Sequence, residues 1–478
     1  MPKVYDTLQN AAKKWPANMA VTDEYGRLSF SQLADQTEVL KNCLLTEGLQ
    51  KGMAVGIIMR NSRYFIMSLY AGVGCDALVM PVSHTQKSNE IKNAIIEAQL
   101  HMLITDSREL ASHGSTATEI KLFDQTLFIS YTERDKKDTT AGFIKDAAFM
   151  RFTSGTTGKA KGVIVSHQSV IERIDAANEA LKLNEHDRVV WVLPMAYHFM
   201  VSIVLYVKYG TGIIINDNFL ADSIIQSIRQ HQGTFLYAAP MHIKLLAATN
   251  TGIELPTLKK VISTTTAISA QVCKEFEEKY NLPVSQAYGI IEIGLPVINL
   301  SHSTKDPEAV GYALPAYQVE ILDENFIPLR TDTIGRLAIK GPGMFDGYLS
   351  PPAIKENILQ NGWFMTGDYA LKKSDGLLII KGREKNVINV SGNKVFPNEV
   401  EEVINTYKGI VQSKAFSKIH PLLGEVVAVD IIVEKGIIID EESLRNYCKQ
   451  MLSAFKLPQF INIVDEIEMT DSGKIKRT

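Results

Sequence analysis

Residues 153–162 read Thr-Ser-Gly-Thr-Thr-Gly-Lys-Ala-Lys-Gly, between two apolar runs at 147–152 and 163–165. This strand–loop–strand stretch narrows the fold more than any other. Three glycines and four hydroxyls fall within these ten residues. Glycine admits backbone conformations that other residues avoid and lets the main chain approach a ligand closely. Successive N–H groups can then form a concavity for anions. The hydroxyls of Thr153, Ser154, Thr156 and Thr157 add donors, Lys159 and Lys161 add charge, and Gly155 and Gly158 keep the loop open. The stretch reads as a phosphate-holding loop. It is not a Walker loop, which needs four residues between its first glycine and a Gly-Lys pair followed by Ser or Thr. Here Gly155 and Gly158 are too close, and Ala160 follows Lys159.

Before the loop, residues 1–145 alternate helix and strand patterns. Residues 29–48 carry apolar positions at roughly helical period, 53–59 form an apolar strand and 64–73 a helix, and 78–82 and 102–105 are further strands. After the loop, Ser166 caps a helix to about residue 181, with Val170, Ile171, Ile174, Ala177 and Leu181 as its buried face. Strands follow at 188–193, 234–239, 258–263 and 283–287. Such alternation predicts an α/β fold, a large N-terminal domain of mixed, mostly parallel sheets covered by helices. Glycine-punctuated strands across 309–348 predict a smaller β-rich subdomain. The end of the chain predicts a small mobile α+β domain, with helices at 398–407 and 441–451 and strands at 411–416, 426–433 and 460–464.

Several function classes fall away on composition. With 478 residues and 45% hydrophobic content the chain can bury large cores in more than one domain. A net charge of −3 gives no basis for nucleic-acid binding. Cys43, Cys75, Cys273 and Cys448 are scattered, which argues against a zinc site or disulfide framework and for a cytoplasmic protein. The N-terminus shows no secretory pattern, and no apolar run reaches membrane-spanning length.

Candidate chemistry clusters where strands end, the usual ligand edge of open α/β sheets. Met195 to Met200, including His198, follow one strand, with Met195, Phe199, Met200 and Tyr237 as candidates for either a pocket wall or core. Tyr288-Gly289-Ile290-Ile291-Glu292 follow another, and Glu292 suits Mg²⁺, which is held by one or two carboxylates plus substrate phosphates. Asp368, in Gly362-Trp363-Phe364-Met365-Thr366-Gly367-Asp368, offers two acceptor oxygens for ribose hydroxyls or serves a turn. The polar end of the chain carries Lys474, in a loop or a frayed basic tail.

Taken together, these motifs resemble those of the adenylate-forming superfamily of acyl-CoA synthetases and AMP-dependent ligases. The loop at 153–162 resembles its phosphate loop, with Ala160 where proline is usual; Tyr288 to Glu292 resembles Tyr-Gly-x-Thr-Glu; Gly362 to Asp368 resembles Gly-Trp-x-x-Thr-Gly-Asp. Residues 383–402, His420-Pro421 with Gly424-Glu425, Lys456 with Pro458, and Ser472-Gly473-Lys474 resemble its C-terminal segments. The resemblance implies two half-reactions: a carboxylate attacks the α-phosphorus of ATP to give an acyl-adenylate, and a thiol then displaces AMP. It implies ATP, Mg²⁺ and coenzyme A as cofactors and a small carboxylic acid as partner. It places Glu292 on Mg²⁺, Lys474 on the carboxylate and α-phosphate, Asp368 and Arg383 on the ribose, Tyr288 and Gly289 by the adenine, and His198 by the acyl pocket. Thr153 joins Lys474, His198 and Glu292 in catalysis. The resemblance also implies a hinge at Lys385, dividing a core of residues 1–384 from a lid of 385–478, and Gly392 as lining of the thiol tunnel.

Three departures bear on the substrate. Ile291 replaces a threonine, Thr264-Thr265-Thr266 replaces a Gly-Gly-Ala run beside the adenine and acyl pocket, and Arg336 replaces a glutamate. Members of the superfamily that select amino acids place an aspartate beside the pocket to pair the ammonium; the corresponding stretch here offers Tyr197, His198 and Phe199, so the resemblance implies an apolar aliphatic or aryl acid. The alternatives are loading of a separate phosphopantetheine carrier protein, and a nucleotide- or acyl-binding protein impaired in catalysis.

Overall fold

Among the described residues, strands from the first three-quarters of the chain assemble into two sheets of nine strands each. The computed structural model describes residues 2–115, 117–135, 138–153, 161–249, 252–421, 424–469 and 475–477, with the Thr153 side chain outside the description. By contacts the chain divides into one unit of residues 1–318 and 339–364 and a second of 319–338 and 365–478. Lys385 falls inside the second unit.

In the first unit, one sheet has a parallel centre of Ala147–Thr153, Leu78–Val82, Ala54–Ile58 and Met102–Thr105. The last three are buried along their whole lengths, as expected of parallel strands covered on both faces. Lys161–Ser166 joins one side antiparallel, and the hairpin Thr118–Leu122 with Gln125–Tyr131 closes the other. The other sheet runs parallel through Met19–Asp23, Gly212–Ile215, Arg188–Trp191, Phe235–Ala238, Lys260–Ser263 and Val284–Ile290. Gly294–Ile298 then turns back antiparallel. One face of this sheet packs Val190, Leu236 and Val261 against Ile224, Ile228, Ile243 and Phe276.

Local sequence accounts for the helices that flank these strands. Helix Phe30–Thr46 starts on a capping box in which Ser29 and Gln32 satisfy each other's backbone N–H groups. Helix His167–Leu181 starts where Ser166 accepts from the Ser169 N–H at 3.2 Å.

The second unit holds a four-stranded sheet of Gln318–Leu322, Ile334–Lys340, Phe364–Lys372 and Leu378–Arg383, the first three of which reach its boundary. The β-rich stretch expected at 309–348 contributes to this sheet, while Tyr312–Ala313 and Gly347–Tyr348 join edges of the two large sheets. The remainder is α+β, with Gly424–Val433 paired to Ile410–His420, Ile388–Val390 and Phe460–Ile463. Val400 and Ile404 of helix Pro397–Asn405, with Leu444 and Cys448 of helix Glu441–Met451, pack on Ala415, Val427 and Val429. Among the described residues no helix is long and apolar enough to cross a membrane.

Candidate active site

In the first unit the phosphate-loop hairpin is paired up to Thr153 opposite Lys161. Lys161 therefore belongs to a strand, although the sequence places it in the loop: pairing with Ala147–Thr153 outlasts the apolar run. Ser154, Gly155, Thr156, Thr157, Gly158 and Lys159, and the side chain of Thr153, lie outside the described residues. The Lys161 ammonium lies 4.8 Å from the centre of the Tyr348 ring. Tyr348 is itself in a two-residue strand that pairs with Val163. Its hydroxyl donates to Glu292 Oε1 at 3.3 Å. Burial first, and then the Glu292 charge, push this phenol well above its ordinary range, so it stays a donor. Lys161, Tyr348 and Glu292 thus form a continuous contact from the hairpin to the candidate metal carboxylate.

Glu292 stands in the reversal between Val284–Ile290 and Gly294–Ile298. Tyr288 and Gly289 lie within the first of these strands, whereas the sequence ends it at 287; pairing with the returning strand lengthens it. A Cβ at Gly289 would collide with the Gly294 carbonyl oxygen, which explains glycine there. The reversal is clamped from behind. The Phe345 N–H donates to the Glu292 carbonyl at 2.7 Å. Arg173, fully buried, donates Nη1 to the Ile291 carbonyl at 2.9 Å and Nε to the Gly343 carbonyl at 2.8 Å. Burial pushes its guanidinium down to about 10, still charged at neutral pH. Ile291 therefore supplies a carbonyl to the clamp, at the position where the resembling motif has a hydroxyl.

His198 ends the short helix Met195–His198 and is half-buried. The helix starts where Asn61 accepts from the Met195 N–H at 2.8 Å and donates to the Leu193 carbonyl at 2.9 Å. Arg151 donates to the Tyr197 carbonyl, and its guanidinium lies 5.1 Å from that ring's centre. Met195, Phe199 and Met200 are buried. Tyr237 donates to Thr264 Oγ1 at 3.2 Å.

In the second unit Asp368 and Arg383 face each other across adjacent strands, with Arg383 Nε 2.9 Å from Asp368 Oδ1. Arg383 Nη1 also donates to the Thr366 carbonyl at 3.1 Å, and the Thr366 hydroxyl accepts from the Asp368 N–H at 3.1 Å. The two residues assigned to ribose by resemblance are thus neighbours that orient each other. Arg336 pairs with Glu384 at 2.6 Å, so this inverted charge has a partner within the same unit. Lys385 is exposed in the turn Glu384–Asn386. Gly392, with φ +85, follows Ser391, with φ +48, between strands Ile388–Val390 and Asn393–Val395, the two left-handed positions of a tight hairpin. Among the described residues nothing lies within 4 Å of a Cβ placed on Gly392, so it is the positive φ and not lack of space that calls for glycine there. Lys474 lies outside the described residues, yet the chain is fixed on both sides of 470–474. Met469 bridges to Ile475, and Arg477 binds both Glu401 oxygens at 2.7 Å.

Among the described residues no three His, Cys, Asp or Glu side chains cluster as a metal cage. A single oriented carboxylate, Glu292, fits Mg²⁺, which takes its remaining ligands from phosphate and water. The signals missed in the sequence were Tyr348 and Arg173, which become visible only once distant segments meet.

Residues 8–349 match the family model of the AMP-binding enzymes, and residues 399–474 match that of the AMP-binding enzyme C-terminal domain. An oxalate–CoA ligase of Arabidopsis thaliana is 26% identical over 98% of this chain and 96% of its own length. A 2-succinylbenzoate–CoA ligase of Bacillus licheniformis is 26% identical over 98% of each. A long-chain-fatty-acid–CoA ligase of Yersinia pestis is 23% identical over 99% of this chain and 92% of its own. Among solved structures, ATP-bound MatB from Rhodopseudomonas palustris superposes with a TM-score of 0.85, at 22% identity over 99% of this chain and 97% of that one. The o-succinylbenzoate CoA synthetase of Bacillus subtilis with its acyl-adenylate superposes with 0.87, at 21% identity over 99% and 97%. Both share the fold.

Proposed function

The chain belongs to the AMP-binding enzyme family, and from that premise we propose that it joins a carboxylic acid of apolar aliphatic or aryl body to the thiol of coenzyme A. The observation that carries this reading is the Lys161–Tyr348–Glu292 contact, which joins a phosphate-loop hairpin to an oriented carboxylate in one unit. Relatives named as ligases of oxalate, 2-succinylbenzoate and long-chain fatty acids to CoA support it.

In the first half-reaction a carboxylate oxygen of the acid bonds to the α-phosphorus of ATP, and pyrophosphate leaves with the electron pair. Two anions must approach, so positioned donors and cations are the main requirement. Thr153, Ser154, Gly155, Thr156, Thr157, Gly158 and Lys159 present donors to the phosphates. Lys474, a compact charge on a flexible stem, contacts the reacting carboxylate and α-phosphate. Glu292 would hold Mg²⁺, whose charge would neutralise that of the phosphates. Arg173 keeps Glu292 in place through the neighbouring carbonyl. Asp368 and Arg383 orient the ribose, Tyr288 packs on the adenine, and His198 borders the acyl group. In the second half-reaction the thiol sulfur bonds to the acyl carbon, its proton passes to solvent, and AMP leaves. Lys385 serves as hinge and Gly392 borders the thiol's path.

Acid-dependent ATP–pyrophosphate exchange over fatty, aryl and amino acids, with Mg²⁺ and no thiol, tests the reading. Exchange with fatty or aryl acids, followed by acyl-CoA formation when CoA is added, is the expected result. Exchange with amino acids alone, or acceptance of a carrier protein but not CoA, would overturn the acid or the thiol respectively.

A further inference from the structure

The parallel strands Arg188–Trp191, Phe235–Ala238 and Lys260–Ser263 end side by side, at the edge where ligands of open α/β sheets are held. Just beyond, the Thr264 N–H makes a last ladder bond to the Ala238 carbonyl at 3.0 Å, and its side chain receives the Tyr237 hydroxyl. The next residue departs from this order. Thr265 has φ +82, whereas the other described non-glycine residues with positive φ lie between +48 and +63. None of those others is β-branched. A β-branched residue at such an angle is an outlier, because its Cβ substituents crowd the neighbouring carbonyl.

A second strained feature sits on the same residue. Thr265 Oγ1 is enclosed and has no hydrogen-bond partner among the described residues. A buried hydroxyl left unpaired keeps its desolvation penalty. Glycine would remove both costs, and glycine is what the resembling run has at this point. On the strand beside Tyr237, Trp191 Nε1 is likewise enclosed without a partner among the described residues, and its ring stacks on Tyr237 at 6.3 Å. An indole N–H can only donate, and a hydroxyl can do so as well. Strain concentrated at a ligand edge is a marker of function when the observed outlier comes first.

We propose that Thr265 is a specificity residue whose hydroxyl donates to a second oxygen function on the body of the acid, such as a keto, hydroxyl or distal carboxylate group. This inference rests on the acid–thiol ligase reading above. It makes the acid an apolar or aryl body that carries an additional hydrogen-bond acceptor. A site built to bond such a group discriminates strongly against the analogue lacking it, because the buried donor is then left unpaired.

The test measures kcat/KM in ATP–pyrophosphate exchange for three acid pairs: hexanoate with adipate, phenylpropionate with 4-hydroxyphenylpropionate, and 4-phenylbutyrate with 4-oxo-4-phenylbutyrate. The full chain is compared with Thr265→Gly, Thr265→Ser and Thr265→Val, and KM for ATP and the melting temperature are recorded for each. The expected result is preference for the oxygen-bearing member of at least one pair. That preference should fall by at least about tenfold in Thr265→Gly and survive in Thr265→Ser. Thr265→Gly should melt no lower than the parent, which a purely structural threonine would not allow. Thr265→Val should behave as the glycine variant; if its strain prevents folding, the glycine and serine variants decide. Unchanged preference in Thr265→Gly overturns the proposal and leaves the ligase reading standing. A change confined to KM for ATP assigns the hydroxyl to the nucleotide and also overturns it. No exchange by the parent with any acid of the wider panel overturns both.

Discussion

At the residue scale, Glu292 depends on partners that its motif does not contain. Tyr348→Phe removes a single hydroxyl while keeping the ring under Lys161. Removing an orienting partner of a metal ligand typically weakens metal affinity about tenfold or more. The Mg²⁺ concentration for half-maximal exchange should therefore rise by about that factor, with KM for the acid unchanged; an unchanged Mg²⁺ titration would separate Tyr348 from the metal. Lys474 is assigned to the first half-reaction alone. Lys474→Ala should lower exchange roughly a hundredfold to a thousandfold, as loss of a transition-state donor does. It should spare thioester formation from a supplied acyl-adenylate, and equal loss of both steps would contradict the assignment.

At the element scale, the reversal between Val284–Ile290 and Gly294–Ile298 gains its shape from a helix remote in sequence. Arg173 projects from His167–Leu181 and reaches both the Ile291 and Gly343 carbonyls. The turn Glu384–Asn386 shows a different economy of contacts: Lys385 is exposed, while Glu384 on one side is paired with Arg336. A residue with few packing contacts suits a position that changes backbone angle. Proline at such a position fixes φ near −65°. Lys385→Pro is expected to retain exchange while thioester formation from acid, ATP and CoA falls on the order of tenfold or more, since hinge changes alter turnover. Rapid-quench measurement of the two steps distinguishes these outcomes, and normal thioester formation would remove Lys385 from the hinge.

At the scale of the whole molecule, acid stability is set in part by buried histidines. His167 Nδ1 accepts from the Val4 N–H at 3.2 Å, and His242 Nδ1 accepts from the Ala239 N–H at 3.3 Å. Burial pushes both imidazoles below the ordinary 6.5. When pH falls below about 6.5, the unfolded chain therefore binds protons that the folded chain does not, and stability falls with pH. The melting temperature should drop between pH 7 and pH 5. In His167→Gln the drop should be shallower, and an equally steep drop would exclude His167 as a contributor.

What could be read locally was read correctly where local forces decide. Strands Leu78–Val82 and Met102–Thr105 and helix Glu441–Met451 follow apolar runs and periodicity along single segments, and Ser166 caps its helix with its own side chain. The motif strings named the family for the same reason, since glycine, hydroxyl and charge placement is a property of contiguous residues. The four-residue strand Gly212–Ile215 was missed because four apolar residues carry no periodicity. The site's supports were invisible because their partners are far apart in the chain: Tyr348 lies 56 residues from Glu292, and Arg173 lies 118 from Ile291 and 170 from Gly343. The sequence by itself determined the chemistry of the donors and the order of the elements. Only the tertiary structure decided which backbone reversal holds Glu292, that Asp368 meets Arg383, and that Thr265 stands strained with its hydroxyl enclosed, because strand register and packing set those contacts and no local preference can.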